Sequence, residues 1–200
     1  MNKSIKIVHY LLESLVNLKM PKVDRRIAKS QEAIKKALIE LMAEKNFDDI
    51  TIQDISDHAN VSRGTIYLHY MDKFDLLDKL IEEHINEMGE ICEATSAAEY
   101  KDANLPWFEY LESHFLFFST MVKSKGAPSF RSQFHEFLIE EFKDEVNTSQ
   151  GKNHELKEDV LLQFIVTSYV GIVEWWINNG MPYPPQVMAE QVGILLERNL

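Results

Sequence analysis

Two hundred residues with 45% hydrophobic and 26% charged side chains read as a soluble globular chain and exclude disordered and collagen-like classes. Seven Gly and six Pro are too few for the many tight turns of a sandwich or barrel, and a lone Cys92 excludes internal disulfides. The net charge of -11 is uneven: residues 1–80 hold 13 basic and 12 acidic side chains, while residues 81–200 hold 8 and 20, so only the first part suits an anionic partner.

Residues 1–21 read as an N-terminal extension. Ile5, Val8, Leu12, Leu15 and Leu18 recur at helical spacing, so one reading is an added amphipathic helix; the other takes Met20 as an alternative start. His9, Glu13, Ser14 and Asn17 interrupt the apolar run, and no small-residue cleavage site follows, which disfavours export. With one cysteine and no secretory signal, a reducing cytoplasm is the expected compartment. A basic cluster of Lys22, Arg25, Arg26, Lys29, Lys35 and Lys36 comes next.

From Ile27 the positions Ile34, Ala37, Leu38, Leu41 and Met42 predict a helix ending near Asn46. Thr51 with Asp54 three places on predicts a capping box opening a short helix, Ile52 to Ala59. Asn60 tolerates a left-handed turn, and Ser62 predicts the cap of a third helix running to about Tyr70. Asp72 caps a long helix with Leu76, Leu77, Leu80, Ile81, Ile85, Met88 and Cys92 on one face, ending near Ala94.

Pro106 reopens the pattern at Trp107 and continues it to Phe118, the stretch Lys125-Gly126-Ala127-Pro128 breaks it, and Ser129 caps a helix through Val146. After a polar loop, Val160 to Ile177 approaches the length of a membrane span. Its narrow polar stripe of Gln163, Thr167, Glu174 and Asn178 suits instead a soluble helix buried on two sides, against its own domain and against another subunit. Pro184-Pro185 opens a final amphipathic helix. The expected fold is all-α, with a three-helix head over residues 22–72 and a helical bundle over residues 73–200.

The segment from Thr51 to Tyr70 is a helix-turn-helix by its own pattern: Ile52, Ile55 and Ala59 face inward, Val61 plugs the turn, and Ile66 and Tyr70 return to the core. Ser62, Arg63, Thr65 and His69 point outward. A helix start with Ser62 offers amides to phosphate, Arg63 can grip guanine bidentately, and Thr65 offers a methyl and a hydroxyl. The basic stretch at Lys22, Arg25 and Arg26 is placed to lie along a DNA backbone, compensating for the net charge of -1 between Thr51 and Lys73.

These letters resemble the tetracycline-repressor (TetR) family, whose recognition segment reads roughly A-x-V-S-x-G-T-[ILF]-Y-x-[HY]-[FY] and leads through a Lys, here Lys73, into a Leu-Leu helix, here Leu76 and Leu77. The resemblance is strong over residues 26–78. Beyond them it is best for the subgroup of dihydroxyacetone-kinase regulators, on Gly126-Ala127-Pro128-Ser129-Phe130 and Glu174-Trp175-Trp176-Ile177-Asn178-Asn179-Gly180-Met181. It implies a homodimeric, ligand-responsive regulator, more often a repressor, that binds a palindromic double-stranded DNA operator and a small-molecule effector. It also implies phosphate contacts for Thr51, Ser62, Tyr67, His69 and Lys73, and base-edge contacts for Arg63, Gly64 and Thr65. An adaptor that keeps the fold but acts through a protein partner is the alternative.

Nine of eleven Phe and all three Trp follow residue 100. Some are expected to line an effector pocket, with Trp107, Phe118, Phe134 and Tyr169 as candidates and His114 and Glu174 as orienting groups. Dimerisation is expected through Leu156 to Asn179 and Pro184 to Arg198. His84, Met88 and Cys92 share a helix face, but one face supplies that spacing by chance, so no metal site and no cofactor are expected. No His has Glu three places before it, and neither a phosphate-binding Gly loop nor a nucleophile elbow occurs, so an enzyme is not expected.

Overall fold

A computed structural model describes residues 22–123, 128–149 and 151–200. It is all-helical, with no strand among the described residues. The amphipathic extension and the alternative start at Met20 lie outside those residues.

Helix α1 (Lys22–Glu44) starts five residues before the predicted Ile27 and buries Ile34, Ala37, Leu38, Leu41 and Met42. A 3-10 turn at Phe47–Asp49 leads to α2 (Ile52–His58) and α3 (Arg63–Tyr67). The third helix stops three residues short of Tyr70, because the chain must turn at once into the Asp72 cap of α4 (Lys73–Thr95). Asp72 accepts from Phe74 N at 2.8 Å and Asp75 N at 2.9 Å. Helix α4 buries Leu76, Leu77, Leu80, Ile81, His84 and Met88 and runs without interruption into the body.

Pro106 does not open a helix: it lies inside α5 (Tyr100–Ser113). The carbonyl that its missing N–H leaves without an intrahelical partner belongs to Asp102, an exposed residue that water can serve. His114 (φ −109°, ψ 28°) breaks the predicted continuation to Phe118, and α6 (Phe115–Lys123) begins anew. Helix α7 (Pro128–Phe142) ends short of Val146, which is buried beyond it. The last two helices are α8 (Glu158–Asn178) and α9 (Pro185–Asn199). Gly180 at φ 72° and Met181 at φ 56° terminate α8, with Met181 N donating to Trp176 O at 2.8 Å.

Helix α9 packs most extensively along α5, α8 contacts α6 and α7, and α1 contacts both α4 and α6. Helices α9 and α5 come close at Gly193, where a Cβ would stand 2.7 Å from Lys101 N and 2.8 Å from Lys101 Cα. Head and body share one buried apolar cluster running from Ile34 to Leu196.

Helix α8 is long and apolar enough to cross a membrane, yet Leu161, Ile165, Val166, Tyr169, Val170, Val173, Trp176 and Ile177 are buried within the bundle. Its other side leaves Val160 62%, Phe164 57% and Trp175 47% exposed.

Candidate nucleic-acid interface

Two caps set the reading head. Thr51 Oγ1 accepts from Asp54 N at 3.1 Å, while the Thr51 N–H and hydroxyl each donate to Asp54 Oδ2 at 2.8 Å. The hydrogen bond from the Thr51 N–H, joined by its hydroxyl and by Lys45, holds the Asp54 carboxyl down to about 2. The Thr51 hydroxyl is thus engaged within the capping box, so the cap and not a free hydroxyl is what the structure gives that position.

The turn is locked by a side chain that the sequence reading passed over. Buried Ser56 donates its hydroxyl to Val61 O at 2.7 Å, and Val61 N donates back to Ser56 O at 3.1 Å. The signal was available: a small hydroxyl residue one turn before a left-handed position suits closing a loop onto its own backbone. Asn60 sits at φ 52° as its residue type favours. Ser62 then caps α3, accepting from Thr65 N at 3.1 Å and lying 2.9 Å from Thr65 Oγ1.

With Ile55 and Ile66 fully buried beneath them, Arg63 and Gly64 are exposed, Tyr67 is 50% exposed, and Thr65 and His69 are half-buried. Arg63 has no hydrogen-bond or ion-pair partner among the described residues. A Cβ added at Gly64 would meet only Ser62 Oγ at 3.6 Å, so α3 presents open backbone there. Arg25 and Arg26 are exposed on the first turns of α1, whereas the Lys22 side chain lies outside the described residues.

Lys73 corrects the sequence reading. Its ammonium donates to Phe47 O, Asp48 O and Ile50 O, each at 2.8 Å, and lies 4.8 Å from the centroid of the Phe47 ring. All three of its protons are committed to the α1–α2 connection, leaving none for a phosphate.

The six candidate pocket residues do not share one cavity. Trp107, Phe118 and Phe134 are buried in an aromatic fill: Trp107 stacks on Phe134 at 5.9 Å and meets Tyr169 edge-on at 5.2 Å, and Phe118 lies 6.1 Å from Phe130. Tyr169 donates to Asn104 Oδ1 at 2.7 Å and edges a groove of about 210 Å³ between α8 and α9. Glu174 pairs with Arg131 beside a groove of about 530 Å³ that also includes Thr167 and Gly171. His114 borders a third cavity, of about 290 Å³, between the head and the body. Large rings at helical spacing filled the core, and polar residues were left at its edges.

Met88 is fully buried, and burial and nearby Glu141 push the Cys92 thiol up to about 12.

A three-helix head with a doubly capped helix-turn-helix, continuous with a helical body, defines a helix-turn-helix transcriptional regulator. The chain belongs to the TetR family: residues 34–80 match the model of bacterial regulatory proteins of the tetR family, and residues 99–198 match that of a transcriptional regulator C-terminal region. Both describe transcriptional regulators, not enzymes.

Among curated relatives, the uncharacterized HTH-type transcriptional regulator YxbF of Bacillus subtilis is 26% identical over 178 residues. The match covers 84% of this chain but only 45% of that protein. YvkB of the same organism is 33% identical over 66 residues, which cover 33% of this chain and 35% of the relative. The chain thus spans less than half the length of these relatives. Among solved structures, a TetR regulator from Streptococcus agalactiae superposes with a TM-score of 0.66 at 24% identity, covering 86% of this chain and 96% of that one. NalD, the secondary repressor of a multidrug efflux pump in Pseudomonas aeruginosa, gives 0.65 at 18%, covering 87% and 98%. The dihydroxyacetone kinase operon activator DhaS gives 0.57 at 17%, covering 84% and 94%, a weaker neighbour that shares the fold.

Proposed function

We propose that this chain is a cytoplasmic, dimeric, ligand-responsive repressor that leaves its operator when a small molecule occupies the body. The observation that carries the DNA reading is the display of Arg63, Gly64, Thr65 and Tyr67 on a capped helix, with no partner for the Arg63 guanidinium among the described residues. Arg63, Gly64 and Thr65 meet base edges in the major groove, while Ser62, Tyr67, His69 and the amides at the start of α3 meet phosphate. Arg25, Arg26 and Lys22 lie along the flanking backbone. Two copies pair through α8 and α9, where Val160, Phe164 and Trp175 continue into exposed Val187 and Leu195. A two-fold dimer reads a palindrome with half-sites about 34–36 Å apart.

The measurement is a salt-dependent titration of the DNA upstream of the chain's own gene. Specific binding that weakens steeply with salt, and falls by about 1–3 kcal/mol in Arg63→Ala, is expected. Unchanged affinity in Arg63→Ala would defeat the assignment.

A second reading has its own observation. Leu68 and Met71, each 79% exposed, and Phe74, 55% exposed, form an apolar surface at the end of the recognition helix. Such a surface suits an adaptor that binds a protein. Absence of any specific DNA complex, with a partner captured through Leu68 and Met71, would favour it.

A further inference from the structure

Helix α4 and the corner between α5 and α6 bring three potential ligands together at the cavity beneath the head. His84 lies buried on α4 with its ring stacked on Phe117, centroids 3.8 Å apart. Glu87 follows one turn on, and His114 closes α5. One ligating atom from each lies within 4.8 Å of the other two.

Tyr110 orients all three. Its hydroxyl donates to Glu87 Oε2 at 2.7 Å and stands 2.5 Å from His84 Nδ1, while its main-chain oxygen lies 3.0 Å from His114 Nδ1. Ser113 Oγ also lies 3.0 Å from His114 Nδ1, and its hydroxyl donates to Tyr110 O at 2.9 Å, so both oxygens beside Nδ1 act as acceptors and His114 carries its proton there. The single phenolic proton goes to the Glu87 carboxylate, so the phenolic oxygen accepts from His84, which also carries its proton on Nδ1. In these tautomers each ring keeps its lone pair on Nε2, and neither Nε2 has a hydrogen-bond partner among the described residues. An imidazole whose Nδ1–H is held by an oxygen while Nε2 stays free is the arrangement of a metal-binding histidine.

The surroundings agree in charge. Glu32, Glu83 and Glu87 line the cavity against Lys35 and Lys36, and Lys35 is already paired with Glu83. A volume of about 290 Å³ leaves room for water to complete the coordination. Two imidazoles and one carboxylate suit a zinc-class ion over magnesium or calcium, which prefer oxygen ligands.

We infer that His84, Glu87 and His114 form a binding site for a divalent transition metal ion of the zinc class, with Tyr110 as the positioning residue. A tetrahedral zinc with bonds of about 2.0–2.2 Å holds its ligands about 3.4 Å apart, against the 4.8 Å within which these atoms lie here. The site is independent of the DNA reading: it requires only the fold of the body.

The test uses the full chain, freed of metal by a chelator and titrated with Co²⁺ and Zn²⁺. One Co²⁺ per chain is expected, with a visible d–d band that stoichiometric Zn²⁺ abolishes. Glu87→Gln keeps an acceptor for Tyr110, and His114→Ala changes a half-buried ring; each removes a ligand and should weaken Zn²⁺ binding by more than the roughly 10–100-fold that loss of a ligand's hydrogen-bond partner costs, with helical circular dichroism unchanged. Tyr110→Phe, which retains all three ligands, should weaken it by a smaller factor. Absence of a one-to-one complex overturns the inference, as does Zn²⁺ affinity undiminished in both Glu87→Gln and His114→Ala, which would place the ion on other side chains.

Discussion

The ammonium of Lys73 lies 2.8 Å from the main-chain oxygen of Ile50, a residue 23 positions earlier, and ties the start of α4 to the loop entering the reading head. Removing it in Lys73→Met takes the ammonium from three carbonyls, of which Phe47 O keeps the Ile50 N–H at 3.1 Å, and is expected to cost about 1–3 kcal/mol in urea denaturation. The same variant separates a structural lysine from a phosphate contact. The slope of log affinity against log salt should match that of the parent, whereas loss of a phosphate contact would lower it by about one.

Gly64 gives the opposite pattern. Its side of α3 has room for a methyl group, the nearest atom being Ser62 Oγ at 3.6 Å. Gly64→Ala should therefore keep the fold and raise stability by up to about 1 kcal/mol through helix propensity. Operator affinity should fall at least about tenfold in the same protein, because the added methyl stands where the backbone approaches the base edges. A variant more stable and equally active would remove Gly64 from the interface.

At Gly193 a methyl group has nowhere to go, since the main chain of Lys101 occupies its position. Gly193→Ala is expected to force α9 away from α5 and to destabilise the chain by about 1–3 kcal/mol. Thermal unfolding followed by circular dichroism reads the effect.

The exposed face of α8 predicts the state of assembly. The parent chain should scatter light as a dimer at micromolar concentration. A double variant, Phe164→Glu with Trp175→Glu, should scatter as a folded monomer, because both side chains project outward and neither supports the core of its own chain.

Acid should weaken the reading head through Asp54. Its folded value of about 2 is below the ordinary 3.8, so its contribution is complete above the ordinary value and lost as pH falls toward the folded one. The melting temperature of the parent should exceed that of Asp54→Asn at about pH 5, with the gap closing between about pH 4 and pH 2. A constant gap over that range would assign the effect to something other than the carboxylate charge.

What could be read from the sequence was local. Thr51 with Asp54, Asn60 and Ser62 act within three or four residues of themselves, so their roles follow from spacing and side-chain chemistry. The end of α3 at Tyr67 was less accessible, because the Asp72 cap dictates where the chain must already have turned. Long-range partners were not accessible at all. Lys73 has the composition of a phosphate ligand and becomes a backbone clamp only when the 47–50 loop folds beside it. Likewise Tyr110 meets His84 across 26 residues. The rings expected around an effector fill space because helices α5, α6, α7 and α8 converge on them, which helical periodicity alone does not reveal.

The buried cluster that runs from Ile34 through the head to Leu196 bears on how such regulators recombine. A head exchanged at Asp72 alone would bring a foreign α1 against this chain's α4 and α6, with which the native α1 packs. A working chimera would have to match the buried residues of α1, among them Ile34, Leu38 and Leu41, to the buried faces of the recipient's α4 and α6. On the DNA reading proposed above, the unit that carries specificity is smaller than the head: it is the outer surface of α3, whose residues can be rewritten without disturbing that shared interior.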